Sequence, residues 1–353
     1  MKQKKKNRPN HVPLTLVLAE FWPAIRRYWL SGILILVLYG VASILQDLAL
    51  PYVLKLIIDS ITLGSIETAW PTVVTLFIWF AALHFVFRAF WRVGDFLIVY
   101  FQIHVMRALD NQCFSKLQLH SYKFFGDNFV GSLVTKARRF VNAFETIHDQ
   151  LAFNFWLSFI QLTGVTIIFW LELPKLALFF LAWTVVYLGI TFYLMRYQIR
   201  FDLASAAASS RVTGRLADVM TNVINLKVFS AGRRESKAYW DVTTDLLNKR
   251  SKSWYFHMWI LVYQATAVAI LEVVGMWIAL IGWQRGLITA GTVVLVQVLI
   301  AKVTGQLWNI GRAMTRVIKS LSDAEEMVAI LHQPLDVRDA SPPIPSKMTD
   351  GLI

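Results

Sequence analysis

Three stretches of this sequence, Tyr28 to Gln46, Leu151 to Leu171 and Leu176 to Met195, carry no charged residue over about the 20 positions needed to cross a bilayer core of roughly 30 Å. Three more are apolar with polar interruptions: Trp70 to about Trp91, with His84 and Arg88 near its end; about Val262 to Trp283, around Glu272; and Thr292 to about Gly311, around Lys302. The pattern predicts six membrane-crossing helices and an all-α integral membrane fold. The first apolar run begins near Tyr28, is long for a signal peptide and lacks a small-residue cleavage site, so it is expected to stay as a span.

The segments between the spans add length to the helices. Asp95 to Phe125 contains neither Gly nor Pro, and Leu97, Phe101, Val105, Leu109, Phe114 and Leu117 recur at helical spacing. The second helix is therefore expected to continue beyond the bilayer. From Trp70 to Ser121 is about 50 residues, or about 75 Å, which leaves roughly 40 Å outside the hydrocarbon. Ile190 to Thr213 and Arg233 to Val274 also lack Gly and Pro. Two long helical hairpins are predicted on one side of the membrane. An anchor has no use for such stalks, whereas a machine that receives force from a partner does.

Composition narrows the class. Of 353 residues, 56% are hydrophobic and 16% charged, against roughly a quarter charged in soluble domains, so a water-soluble catalyst is excluded. A lone cysteine, Cys113, excludes an internal disulfide framework, and the seven histidines, His84, His104, His148 and His257 among them, show no ligand spacing; no metal is expected. A net charge of +13 beside a mean hydropathy of +0.52 reads as basic loops facing membrane lipid, not as a nucleic-acid surface. Lys and Arg cluster at the amino end (Lys2, Lys4, Lys5, Lys6, Arg8), after the second span (Arg107, Lys116, Lys123, Lys136, Arg138, Arg139) and most densely after the fourth, from Arg196 to Lys252. These segments and both termini are expected in the cytoplasm, with the short turns Ile61 to Ala69, Glu172 to Lys175 and Gln284 to Gly291 outside. Trp70, Trp170 and Trp283 would form the outer aromatic belt, and the plasma (inner) membrane is the expected location.

The hairpin tips carry a resemblance. The first reads His120, Ser121, Tyr122, Lys123, Phe124, Phe125, Gly126, Asp127, Asn128, Phe129, Val130, Gly131, with Arg107 upstream; the second reads Asn225, Leu226, Lys227, Val228, Phe229, Ser230, Ala231, Gly232 and reaches Glu235. The run Asp323 to Asp339, with Ala324, Leu331, Pro334 and Val337, is similar to a linker into a nucleotide-binding domain, and Gly351, Leu352 and Ile353 to that domain's opening strand. In this order they resemble the transmembrane domain of ATP-binding-cassette (ABC) exporters, from about Tyr28 onward. The resemblance implies six transmembrane helices with long cytoplasmic extensions and two coupling helices. Tyr122, Lys123, Phe124, Phe125 and Gly126 would form one, and Asn225, Leu226, Lys227, Val228 and Phe229 the other, each inserting into a groove of an ATPase domain. The plainer reading makes both tips ordinary turns packed on their stalks. Residues 1–27 would be a basic terminus with an amphipathic elbow from Leu14 to Arg27, residues 28–331 the membrane domain, and residues 332–353 a linker and the start of a nucleotide-binding domain.

No G-x-x-x-x-G-K-[ST] loop, L-S-G-G-Q-like signature or apolar run ending in Asp-Glu occurs in the 353 residues. The resemblance thus places ATP and Mg in a nucleotide-binding domain that is a further part of the polypeptide or a separate subunit. It also implies a second half-transporter as partner, identical or closely related, and alternating access for an amphipathic or lipid-like substrate. The rival is a proton-driven transporter of similar fold without an ATPase, with Glu272 as proton carrier.

A few polar residues inside the spans are the candidate cavity and substrate positions: Arg88, Arg92, Glu272, Gln297, Lys302 and Gln306. Gln264 and Asn309 add polar positions on the same two helices. Arg88 and Arg92 sit one turn apart near the expected inner interface, either snorkelling to headgroups or gating an anionic amphiphile. Glu272 and Lys302 each fall 11 positions from a turn, at Trp283 and Gly291, so they are expected at equal depth, either paired or lining a cavity. The topology predicts that Ser121→Cys and Ser230→Cys resist an impermeant thiol reagent added outside intact cells; labelling there would refute it.

Overall fold

The computed structural model describes residues 13–336, and among these every regular element is a helix. The basic residues Lys2 to Arg8, and Val337, Asp339 and Gly351 to Ile353 of the linker, lie outside the described residues. Helix α1 (Leu14–Arg26) occupies the segment expected to be an elbow; Val17, Phe21 and Ala24 are buried on one face while Leu18 and Trp22 stay exposed on the other.

Among the described residues, six helical stretches are long and apolar enough to cross a membrane. The first joins α2 (Trp29–Ser43) and α3 (Leu50–Leu63) through a π-helical turn at Ile44–Ala49. The sequence reading ended this span at Gln46; the helix instead continues to Leu63. Pro51 lacks an N–H and its ring crowds the carbonyl four residues back, at Asp47, so the helix widens by one π-turn instead of stopping. Gly64, extended at φ −108° and ψ 161°, ends it.

Helix α4 (Ile66–Gln118) runs 53 residues without a break, about 80 Å, as the absence of Gly and Pro beyond Asp95 predicts. The short α5 (Tyr122–Asp127) follows, N-capped by Ser121, whose hydroxyl accepts from the Phe124 N–H at 3.4 Å. The third span joins α6 (Val130–Asp149) to α7 (Leu157–Glu172) through a second π-turn, Gln150–Trp156. Leu173 alone separates it from α8 (Pro174–Thr221), which Pro174 starts at a position where the missing N–H costs nothing. The short α9 (Val223–Val228) leads through Ser230, at φ 48°, to α10 (Gly232–Gln284), and a turn at Gly286, φ 69°, leads to α11 (Ala290–Leu331).

The described chain divides into two compact units. One comprises residues 13–46, 82–160 and 312–336. Its core is built from Phe101, Val105 and Leu109 of α4, with Phe21, Phe140, Phe144, Met327 and Val328, and the Phe21 and Phe140 rings lie 4.9 Å apart. Phe114, expected on the same stripe, is 62% exposed, and Ile98 and Cys113 take the buried positions beside it. In this unit Tyr39 is fully buried against Trp91 and Phe153, each at 4.9 Å, and donates to Asp95 Oδ1 at 3.1 Å.

The second unit comprises residues 47–81 and 161–311, and its largest interface is α8 against α10. Trp183 donates across it to the Ala267 carbonyl at 3.0 Å, and Gln198 Nε2 reaches Asp202 Oδ1 at 2.8 Å and the Ser253 carbonyl at 3.2 Å. Nearer the α9 tip, Arg211 and Lys249 both grip Asp245, at 2.5 and 3.0 Å, and Arg215 pairs with Glu235.

Two glycines make opposite predictions. A Cβ on Gly94 would lie 2.7 Å from the buried Tyr39 ring, whereas one on Gly189 meets nothing within 4 Å. Gly94→Ala should destabilise the purified protein by about 1–3 kcal/mol through overpacking. Gly189→Ala should stabilise it by up to about 1 kcal/mol through helix propensity. Unfolding midpoints in detergent check both.

Candidate functional site

Helix α3 and the π-turn before it bring three charged residues, Asp47, Lys55 and Asp59, into a region that reads as apolar. Lys55, only 9% exposed, pairs with Glu172 at the end of α7, and the other Glu172 oxygen accepts from Thr292 Oγ1 at 3.0 Å. Asp59 Oδ1 accepts from the Gly291 N–H at 2.9 Å. That N–H is among the unsatisfied donors of the first turn of α11, where a carboxylate also meets the positive end of the helix dipole. A Cβ on Gly291 would collide with the Lys55 carbonyl and the Asp59 carboxylate, so this close approach requires glycine. Deeper in the span, Asp47 Oδ1 lies 2.7 Å from Lys302 Nζ.

This corrects the expected pairing of Glu272 with Lys302. The ammonium is turned to Asp47, which shares its π-turn with Gln46 just ahead of Pro51. Glu272 lies apart, in a cleft between α10 and α11 with Gln297 and the apolar side chains Val273, Met276, Trp277 and Leu280. Gln306 is half-buried one turn beyond Lys302. Arg88 is exposed with its guanidinium 5.7 Å from the Phe87 ring, and Arg92 pairs with Asp95 at 2.9 Å, beside the Tyr39 hydroxyl.

Both tips expected from the sequence form short helices, but they present different residues. In α5, Tyr122 is 93% exposed and Lys123, Gly126 and Asp127 are also exposed. Phe124 points inward, 5% exposed, stacked 4.1 Å from His120, and Phe125 is half-buried against it. The expectation that both phenylalanines reach a partner is therefore corrected: Phe124 fastens the tip to its own unit. Ser121 also donates to Asp336 at 2.8 Å, tying the tip to the segment after α11. In α9, Ile224, Val228 and Phe229 are 74%, 70% and 79% exposed, Asn225 and Lys227 are exposed, and Leu226 is half-buried. A helix end showing three large apolar side chains to solvent is unpartnered surface.

Comparison with known proteins decides the family. The family model described as the ABC transporter transmembrane region matches residues 33–307, well over half of the chain. This chain belongs to the ABC transporter transmembrane region family.

It is 25% identical over 328 residues to the ATM1-type heavy metal exporter of Novosphingobium aromaticivorans, covering 91% of this chain and 53% of that protein. It is 22% identical over 302 residues to ABC transporter B family member 6 of Dictyostelium discoideum, covering 84% of this chain and 43% of the relative. The chain thus spans about half the length of the curated relatives it matches. A solved structure of a bacterial Atm1-family ABC exporter with ATP bound superposes with a TM-score of 0.67 at 24% identity, over 90% of this chain and 55% of the other. The fold is that of the ABC exporter transmembrane domain, and the chain is a multi-pass integral membrane protein.

The residues of this ABC transporter domain do not fit a nucleotide: its sequence holds no Gly-rich phosphate loop or P-loop Lys, so no step of ATP chemistry belongs to these helices. Among the described residues no three His, Cys, Asp or Glu side chains gather as metal ligands.

Asp47→Asn and Lys302→Met should couple in a double-mutant cycle on detergent stability by about 0.5–3 kcal/mol, since each removes one side of the same ion pair. Glu272→Gln with Lys302→Met should be additive within about 0.5 kcal/mol.

Proposed function

We propose that this ABC transporter domain is the permease half of an ATP-driven exporter that moves an amphipathic or lipid-like substrate by alternating access. In this reading residues 28–331 form the pathway with a second half-transporter, identical or closely related. A nucleotide-binding domain, which follows residues 332–353 or is a separate subunit, supplies ATP, Mg and the hydrolysis. Both termini and both tips face the cytoplasm, in the plasma (inner) membrane, as the distribution of Lys and Arg favours.

The observation that carries the reading is the pair of tips. Each long hairpin ends in a six-residue helix: α5 follows the unbroken 53-residue α4, and α9 lies between the 48-residue α8 and the 53-residue α10. Uninterrupted helices transmit displacement with little bending, and α9 shows Ile224, Val228 and Phe229 to whatever docks there. The partner's movement enters the bundle through these contacts, and the Arg211–Asp245–Lys249 and Arg215–Glu235 pairs hold the two stalks above α9 together as it does so.

The test separates docking from folding. In the complete transporter, Ile224→Ala with Phe229→Ala should lower substrate-stimulated hydrolysis and transport about tenfold or more, as loss of two exposed anchors would, without lowering the unfolding midpoint. Phe124→Ala should instead destabilise the protein by about 3–5 kcal/mol, as truncation of a buried ring does. Unchanged transport in the α9 double variant would contradict the reading. Efflux that follows a proton gradient without ATP would favour the ATPase-free alternative.

A further inference from the structure

Of Lys55, Asp59, Lys302 and Glu272, all charged and all in the second unit's spans, three have partners among the described residues and the fourth does not. Lys55 has Glu172, Asp59 has the Gly291 N–H and Lys302 has Asp47. Glu272 makes no ion pair or hydrogen bond among the described residues. It is 12 positions from the end of α10 at Gln284, so it sits about 18 Å down the helix, deep in the apolar span. A carboxylate at that depth is costly, and such residues face a cavity or a ligand more often than lipid.

The surroundings of Glu272 form a cleft of about 410 Å³. Val273, Met276, Trp277 and Leu280 follow one face of α10, and Gln297 enters from α11. Trp277 is 62% exposed and Val273 69%, so the cleft opens on the outer surface of the helix pair. Its chemistry is specific in sign. The carboxylate attracts a cation, the indole face of Trp277 does the same, the Gln297 amide oxygen offers an acceptor, and the remaining walls accept an apolar body. An anionic amphiphile would meet Glu272 with no compensating base among the lining residues.

We propose that the cleft between α10 and α11 is a binding site for lipophilic cations that reach it from the bilayer, with Glu272 as counter-charge and Trp277 as the aromatic wall. The inference rests on the reading of the domain as a permease for amphipathic substrates and names the charge of those substrates at this site.

The purified full chain in detergent is dialysed to equilibrium against tetraphenylphosphonium, and against tetraphenylborate as an anion of matching shape, with binding to empty micelles subtracted. Saturable binding of the phosphonium and not of the borate is expected. Glu272→Gln should weaken it by about tenfold or more, Glu272→Asp should retain most of it, and Trp277→Leu should weaken it about threefold to thirtyfold. The Asp variant keeps the charge and so guards against a mere folding defect. Equal phosphonium affinity in the wild type and Glu272→Gln, saturable borate binding that competes with the phosphonium, or no saturable phosphonium binding because lipid or a second copy seals the cleft would each overturn the proposal. The measurement requires no nucleotide, so phosphonium binding without ATP-driven efflux would count against the exporter reading and leave the cleft standing.

Discussion

A charge placed in hydrocarbon must find an opposite charge or a strong hydrogen bond, and the second unit is organised around that constraint. Helix α3 and the π-turn that leads into it carry Asp47, Lys55 and Asp59 into an apolar span. Each is answered from another helix: Lys302 of α11, Glu172 of α7, and the free N–H of Gly291 at the start of α11. The pairs fix which faces of α3, α7 and α11 meet, more selectively than interchangeable apolar side chains would, because a rotation of α3 would leave three charged groups unsatisfied. Gly291 completes the arrangement by letting the backbones approach to hydrogen-bonding distance. Backbone satisfaction supplies the other half of the constraint, since unbroken helices are the form in which a chain this long crosses lipid without orphaned peptide groups.

The same continuity gives the domain its reach. Helices of 53, 48 and 53 residues extend well past the thickness of a bilayer, and the described tips are capped by short helices instead of loose loops. The two tips are built differently. Helix α5 is anchored inward by Phe124, by the Ser121 cap and by the Ser121 to Asp336 bond, which leaves Tyr122 and Lys123 free to face outward. Helix α9 has no fully buried residue and presents its apolar side chains outward. A partner would meet a polar aromatic surface at one tip and an apolar one at the other.

Much of this was legible in the sequence because it follows from length and periodicity. The apolar spans and the continuation of α4 past the bilayer come from where charge, Gly and Pro are sparse, while the two tips were placed by the family resemblance. What escaped was the consequence of interruptions. Asp47 and Pro51 look like the end of a helix, yet the π-turn absorbs the proline and Lys302 absorbs the charge, so the span continues to Leu63. A signal was present: Asp47, Lys55 and Asp59 fall within about 120° of one another around a regular helix, the mark of a face that meets other polar groups. Equal depth suggested Glu272 for Lys302, but depth fixes only height in the membrane, and which helix lies beside α11 at that height is a matter of packing. The inward turn of Phe124 was likewise invisible, since neighbouring aromatics in a six-residue helix point to different sides.

The central claim is that α5 and α9 are where a nucleotide-binding domain takes hold of these helices, and cross-linking in the complete transporter tests it most directly. Cysteines replace Tyr122 and Val228 in turn, with Trp240→Cys, on the exposed surface of α10, as the control, and a short thiol-to-amine reagent is applied to membranes. Tyr122→Cys and Val228→Cys should join to the nucleotide-binding domain, and Trp240→Cys should not. Cross-links that form equally at all three positions, or at Trp240 alone, would contradict it.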